Sequence, residues 1–475
     1  MTRKQWAILA VLALAVVCEL CAGVWIVWDI NQQPDIVVQA PQTSPAPPTG
    51  TPALSPTNGP TPTSPLPPTA TPPQPTPTST RVFTREEINQ PTLSGIADEV
   101  IAWRELPPLA EVDLQFLTLA ELKERFAQHY AEEYTPEDIE KMRQAYVTLG
   151  LLDENFDLAA TLVDMQAESI AGFYIPEEKK LYLISETELV ETEQKITFAH
   201  EYTHALQDQH FGLARLIDIE GNSDRALAAR SLAEGDATLL MAVYAYENVT
   251  QAEWEWLAYQ SSHLEEGKMK TAPPALGQVS LFPYTYGTQF VLSLFLEGGW
   301  SAVNQAYSSP PQSTEQVMHL DKYRGRDEPQ SVALPDLATI LGEGWEQLDR
   351  DVMGELVTML YLGEHLDEGQ AAQAAGGWDG DAYAILRNAQ GQRLFVVRSV
   401  WDSDAEAQEF SAAFGDYVIK KYGETLTPSP GQAQRTWWEA PTVSVLSSRH
   451  GQETLIVVAP DRGSADQVLA QFSGF

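Results

Sequence analysis

His200, Glu201 and His204 stand in the order H-E-x-x-H, flanked by Ile196, Phe198 and Ala199 before and by Ala205 and Leu206 after. On an α-helix, positions four apart lie about 40° apart round the axis and about 6 Å along it. Both imidazoles then project from one face and can meet a single cation. Neutral imidazole nitrogen suits zinc, and two histidines leave room for a third protein ligand and a water. Zinc brings the pKa of such a water towards about 7. Glu201, beside the first histidine, is placed to take the water's proton and pass it to a leaving amine. Three ionisable residues on an apolar helix need compensation, which a metal supplies. The plain alternative, two histidines on an ordinary helix, leaves that grouping without a reason.

Two residues compete as third ligand. His210 stands six positions after His204, where H-E-x-x-H-x-x-G-x-x-H places its last histidine. That pattern needs a glycine at 207 to turn the chain, and Gln207 is a helix former. On a continuing helix His210 lies about 9 Å beyond His204 and about 120° round from it, out of reach. The other candidate is Glu234, in Ser231-Leu232-Ala233-Glu234-Gly235-Asp236-Ala237-Thr238. A second helical stretch, from about Asp224 to Tyr246, carries it, and an antiparallel packing aims it at the histidines.

The two segments resemble the gluzincin metallopeptidases, the thermolysin-like group that holds zinc with His, His and Glu. The likeness is nearest to uncharacterised bacterial proteins with H-E-Y-T-H-A-L-Q-D-Q followed by E-G-D-A. It covers Ile170 to Thr238 and extends towards Tyr323. The resemblance implies His200, His204 and Glu234 as zinc ligands and Glu201 as base. Thr238 departs from the group, since thermolysin has an aspartate there that orients a histidine; Asp236, two residues after Glu234, faces away. The resemblance also implies a tyrosine on a later helix that donates to the developing oxyanion. Tyr286, in Phe282-Pro283-Tyr284-Thr285-Tyr286-Gly287, is the expected residue, with Tyr284 second and His319 a further candidate; aromatic packing at a helix start competes with all three.

The elements that must position these residues can be read around them. Ile170 to Ile175, a turn at Pro176 to Lys179 and Lys180 to Ile184 read as a β-hairpin. A helix from about Glu193 to Phe211 follows, stopped by Gly212, so the hairpin lies beside the H-E-x-x-H segment, where an edge strand can pair with an extended peptide. Upstream, Leu119–Tyr134 and Pro136–Leu149 have helical patterns, the second opened by Thr135 as N-cap. Beyond Gly376, Tyr383–Leu386, a turn at Asn388–Gln392, Leu394–Val400 and a helix over 402–422 form a strand–strand–helix unit. It recurs with Val443–Leu446, Thr454–Ala459 and a helix from Ser464 to Phe472. The expected class is α+β: a mainly helical zincin-like domain with a small sheet over 85–375, then a small α+β domain of duplicated ββα units over 376–475.

Arg3 and Lys4 precede an apolar run from Trp6 to Trp28, broken by Glu19. About 20 such residues span a bilayer, and the leading positive charges favour a cytoplasmic N-terminus. Residues 1–30 therefore read as a transmembrane signal anchor. A cleaved signal peptide competes, but Val24-Trp25-Ile26-Val27-Trp28 lacks the small residues of a cleavage site. Residues 31–84, nearly all Pro, Thr, Ser, Ala and Gln, read as an extended stalk that holds the folded region clear of the membrane.

The chain has 66 acidic and 29 basic residues, a formal net charge of −37, so nucleic acid is excluded as a natural partner. Its two cysteines, Cys18 and Cys21, both fall in the apolar run, which leaves no thiol for a ligand, a nucleophile or a structural zinc site in the remainder. The expected function is hydrolysis of peptide or protein substrates by a membrane-tethered zinc peptidase. Endopeptidase action is preferred because no G-x-M-E-N segment is present to capture a free amino terminus. A catalytically inactive surface-binding or scaffold protein on the same fold is the alternative, and the retained base Glu201 argues against it.

Overall fold

The computed structural model describes residues 84–122, 124–125, 135–162, 171–263, 272–423, 428–430 and 434–475. The anchor expected over 1–30, the stalk over 31–84 except Thr84, and most of the helix expected at Leu119–Tyr134 lie outside them. Among the described residues no helix is long and apolar enough to cross a membrane.

Helix α1 (Arg85–Arg104) leads into strand β1 (Asp113–Leu117) and helix α2 (Pro136–Leu149). Thr135 caps α2 through a reciprocal pair with Asp138, satisfying two of the backbone donors that a helix start leaves free. Strands β2 (Gly172–Ile175) and β3 (Lys180–Ile184) form the expected hairpin. β1 adds to β3 in parallel, so the order is β1-β3-β2 and β2 is left at an edge of this sheet. Helix α3 (Thr192–Phe211) packs beneath β2 and β3, with Leu181, Leu183, Phe198, Ala199, Tyr202 and Leu206 in one apolar cluster. It ends at Gly212, whose φ of 72° suits the left-handed cap that glycine takes without strain.

Helix α4 (Ser223–Asn248) lies against both α3 and the long helix α6 (Pro274–Ser308), with α5 (Gln251–His263) between α4 and α6 in the chain. The α4–α6 contact needs glycine on both sides. A methyl on Gly235 would sit 2.2 Å from the Gly287 carbonyl, and one on Gly287 would sit 2.2 Å from the Ser231 oxygen. A bend at Gly298 and Gly299 turns the end of α6, so that Tyr307 donates to Asp236 at 2.7 Å. Asp236 also accepts from Arg104 at 2.7 and 3.0 Å, both side chains being fully buried. This pair ties α1, α4 and α6 together and explains why Asp236 turns away from its neighbour Glu234.

After α7 (Thr314–Met318) the chain builds a seven-stranded antiparallel sheet. It comprises β4 (Glu346–Asp351), β5 (Trp378–Arg387), β6 (Arg393–Trp401), β7 (Pro428–Pro430), β8 (Arg435–Ala440), β9 (Val443–His450) and β10 (Glu453–Ala459), in the order β4-β5-β6-β10-β9-β8-β7. Helices α8 (Gly354–Gly363), α9 (Glu368–Ala375), α10 (Asp404–Tyr422) and α11 (Arg462–Leu469) complete the region. The two ββα units meet at the β6–β10 pairing in the centre. Alternation along the strands buries both faces. Tyr383, Ile385, Phe395 and Val397 pack with Phe410 and Phe414 of α10, while Ala384, Leu386, Leu394 and Val396 pack with Ala465 and Val468 of α11. The architecture is α+β. The sheet starts upstream of 376, at β4, and one apolar core runs from Leu232 and Phe290 through Tyr361 to Phe395 and Phe414.

Candidate metal centre

His200, His204 and Glu234 converge. His200 Nε2 and His204 Nε2 are 3.0 Å apart, and each is 3.2 Å from Glu234 Oε2. Among the described residues they form the only group of three or more His, Cys, Asp and Glu side chains spaced to hold a metal ion. The imidazoles come from successive turns of α3 and meet edge to face at 86°, while the carboxylate comes from α4. A tetrahedral zinc with ligands at about 2.0–2.1 Å spaces its donor atoms about 3.3–3.4 Å apart, so the three separations fit that ion. The charge fits as well. With no cation between them, burial opposes a charged His204, yet the Glu234 carboxylate overrides it and pushes the imidazole up to about 9. Burial would raise Glu234, but His204 and then His200 hold it below the usual carboxylate range. The cluster is built around one positive charge, which a divalent cation supplies in place of a proton.

Gln207, one turn after His204, is the positioning residue that sequence reasoning missed. Its Oε1 accepts from His204 Nδ1 at 2.8 Å, which leaves the Nε2 lone pair free for a metal. Its amide nitrogen donates to the Ala233 carbonyl at 3.0 Å, next to Glu234, so one side chain registers α3 against α4. The signal was present as a glutamine three residues after the second histidine. His200 differs, since its Nδ1 is buried without a hydrogen-bond partner among the described residues.

Glu201 is 8% exposed and feels both histidines and Glu234, yet it is not one of the three converging donors. Burial raises its pKa, which makes it a stronger base, against a smaller lowering by the Tyr174 backbone on β2. Asp208, the residue after Gln207 and one helical turn from His204, accepts from the Tyr174 hydroxyl at 2.9 Å and pairs with Lys179 in the hairpin turn. These contacts fix the β2 edge alongside Glu201.

Of the tyrosines expected to serve as oxyanion donor, the structure places Tyr284, not Tyr286, beside the triad. Tyr286 stacks on Phe282 at 5.0 Å, and its charged neighbours are Glu368 and Glu355. Two positions apart on a helix are about 200° round from each other, so it is Tyr284 that faces the triad. Its ring stacks with His200 at 6.2 Å, and its phenol feels the Glu234 and Glu201 carboxylates. The Glu234 charge, then burial, push its pKa well above the ordinary value, so it keeps its proton and remains a donor. His210 donates to the Pro107 carbonyl at 2.7 Å, and His319 pairs with Glu355 at 2.9 Å; neither joins the triad.

A family model described as a domain of unknown function, DUF8575, matches residues 343–469, from just before β4 to the end of α11. The match contains none of the triad residues. No curated protein and no solved structure matches the chain.

Proposed function

We propose that this chain is a zinc-dependent peptidase of the gluzincin type, on a zincin-like fold, tethered to the membrane and acting on peptides outside the cytoplasm. The observation that carries the reading is the convergence of three donor atoms within 3.2 Å of one another beside a buried carboxylate that is not among them. His200, His204 and Glu234 would hold the zinc, which when bound supplies a Lewis acid for the scissile carbonyl and a water of lowered pKa. Glu201 accepts the proton of the attacking water and hands it to the leaving amine, its affinity for that proton raised by burial. Tyr284 donates to the carbonyl oxygen as it gains charge. Gln207 holds His204 in the productive tautomer. The β2 edge, running past Glu201, offers backbone groups to an extended substrate. The apolar run from Trp6 to Trp28 and the Pro-rich stretch after it support the tether.

The full-length protein in detergent, incubated with an unbiased peptide library, should cleave it, lose the activity to a chelator and regain it with zinc. Glu201→Gln should bind zinc without cleaving. Cleavage that survives chelation or the Glu201→Gln change would refute the reading, as would a zinc-loaded wild type that cleaves nothing.

A further inference from the structure

Arg230 lies four residues before Glu234 on α4, hence on the same face and about 6 Å away along the axis. It is exposed where Glu234 is half-buried, so it stands on the solvent side of the triad. Among the described residues it has no carboxylate partner, in a chain with 66 acidic residues to 29 basic. Its guanidinium acts on the Tyr284 phenol, opposing the carboxylates behind it, which places it on the Tyr284 side of the triad. Glu201 and the β2 edge bound the other side.

Counting charge shows what this position asks for. A divalent cation is balanced by Glu234 and Glu201 together, and Tyr284 is neutral. Arg230 then leaves one positive charge over on the solvent side of the site, with five N–H donors suited to a planar anion. The rest of the acidic surface repels such an anion, so a cation here selects it locally.

We propose that Arg230 is a specificity-determining residue of this site and takes a carboxylate of the peptide substrate close to the scissile bond. This rests on the peptidase reading above. The carboxylate comes either from the substrate's C-terminus or from an Asp or Glu side chain, and matched peptides separate the two. Three N-acetylated peptides of one cleaved sequence serve as probes: a free C-terminus, an amidated neutral form, and an amidated form with one glutamate beside the scissile bond.

The full-length protein and Arg230→Gln are compared by kcat/KM on each peptide, with zinc content measured in both. Binding of the same peptides to Glu201→Gln and to Glu201→Gln/Arg230→Gln is followed by calorimetry. A hydrogen-bonded charge pair of this kind predicts a loss of about 10- to 100-fold. It should be confined to one or both carboxylate-bearing peptides, expressed mainly in KM and the calorimetric Kd, and partly restored by Arg230→Lys. Loss on the free-acid peptide alone identifies the terminal carboxylate, and loss on the glutamate peptide alone identifies the side chain. An equal loss on the neutral amide, or no loss on any peptide, overturns the proposal. If no peptide is cleaved by wild type, the peptidase reading fails, while the calorimetric comparison still decides whether Arg230 binds a carboxylate.

Discussion

Gly235 follows Glu234 directly, and replacing it by alanine sets two effects of known size against each other. Alanine is better than glycine in a helix by about 0.8–1 kcal/mol. Against that, the new methyl would lie 2.2 Å from the Gly287 carbonyl carbon and oxygen and 2.8 Å from the Thr288 nitrogen. Carbon atoms pack best at about 3.5–4.0 Å, so α4 and α6 must part by more than about 1 Å. The obstructing atoms are backbone and have no rotamer to yield. Overpacking costs about 1–3 kcal/mol, and this contact belongs at the top of that range, for a net loss of about 2 kcal/mol. The metal should report the shift more sharply, because Glu234 is the adjacent residue and its oxygen lies 3.2 Å from each histidine nitrogen. Displacement on that scale predicts a loss of zinc affinity of about 10- to 100-fold, as for other changes to the support of a ligand. Urea unfolding of the zinc-free protein and competition with a chromophoric chelator measure the two quantities. If Gly235→Ala were stabilised by about 1 kcal/mol with unchanged zinc affinity, the close α4–α6 contact would not be what positions Glu234.

Tyr284→Phe should lower kcat/KM by about 100-fold with zinc retained, the low end for removing one oxyanion donor, while Tyr286→Phe stays within about 3-fold on the same peptide; the reverse order would restore the sequence-based expectation. Asp236→Ala should cost about 3–5 kcal/mol in urea unfolding, since it leaves the fully buried Arg104 without its counter-charge, and Arg104→Met/Asp236→Leu should recover most of that loss. Stability should also fall as the pH rises from 5 to 8. Burial pushes Asp224 from 3.8 up to about 8, with Asp381 and Glu355 adding to the shift against hydrogen bonds from Thr314. A carboxyl that holds its proton better when folded stabilises the fold below its unfolded pKa, and the contribution disappears as the pH passes its folded pKa. For one such group the slope approaches about 1.4 kcal/mol per pH unit, and Asp224→Asn should flatten it; an unchanged slope in that variant would show that Asp224 does not titrate as described.

Much of the fold and of the site was legible because short-range rules act on single residues. Thr135 opens α2, Gly212 closes α3, and Pro176 to Lys179 joins two strands of β-branched and aromatic residues, each from its own chemistry. The choice of Glu234 over His210 followed from helix geometry, the E-G-D-A stretch and its family likeness, and the structure brings that glutamate to the histidines. What was not legible depends on phase and on partners distant in sequence. Tyr284 and Tyr286 differ by about 200° round a helix, and the sequence treated both as leading into a helix that in fact begins at Pro274. Gly287 was the available clue, since it marks the face pressed on Gly235, and Tyr284 lies one turn before it. Strand β4, Glu-Gln-Leu-Asp-Arg-Asp, hides its alternation because it is a polar outer strand paired on one side to β5. β8 escaped notice for the related reason that its pairing with β9, rather than its own pattern, makes it a strand. The Arg104–Asp236 pair joins residues 132 positions apart, and no local pattern announces it.

The central claim is that His200, His204 and Glu234 hold one zinc ion and leave a coordination position open. X-ray absorption at the zinc edge of the zinc-loaded protein tests it directly. Two imidazole nitrogens and carboxylate oxygen at about 2.0–2.1 Å are expected, together with one oxygen that exchanges with a small anion, and zinc should be lost from Glu234→Ala. A shell closed by four protein ligands with nothing to exchange, or full zinc retention in Glu234→Ala, would contradict it.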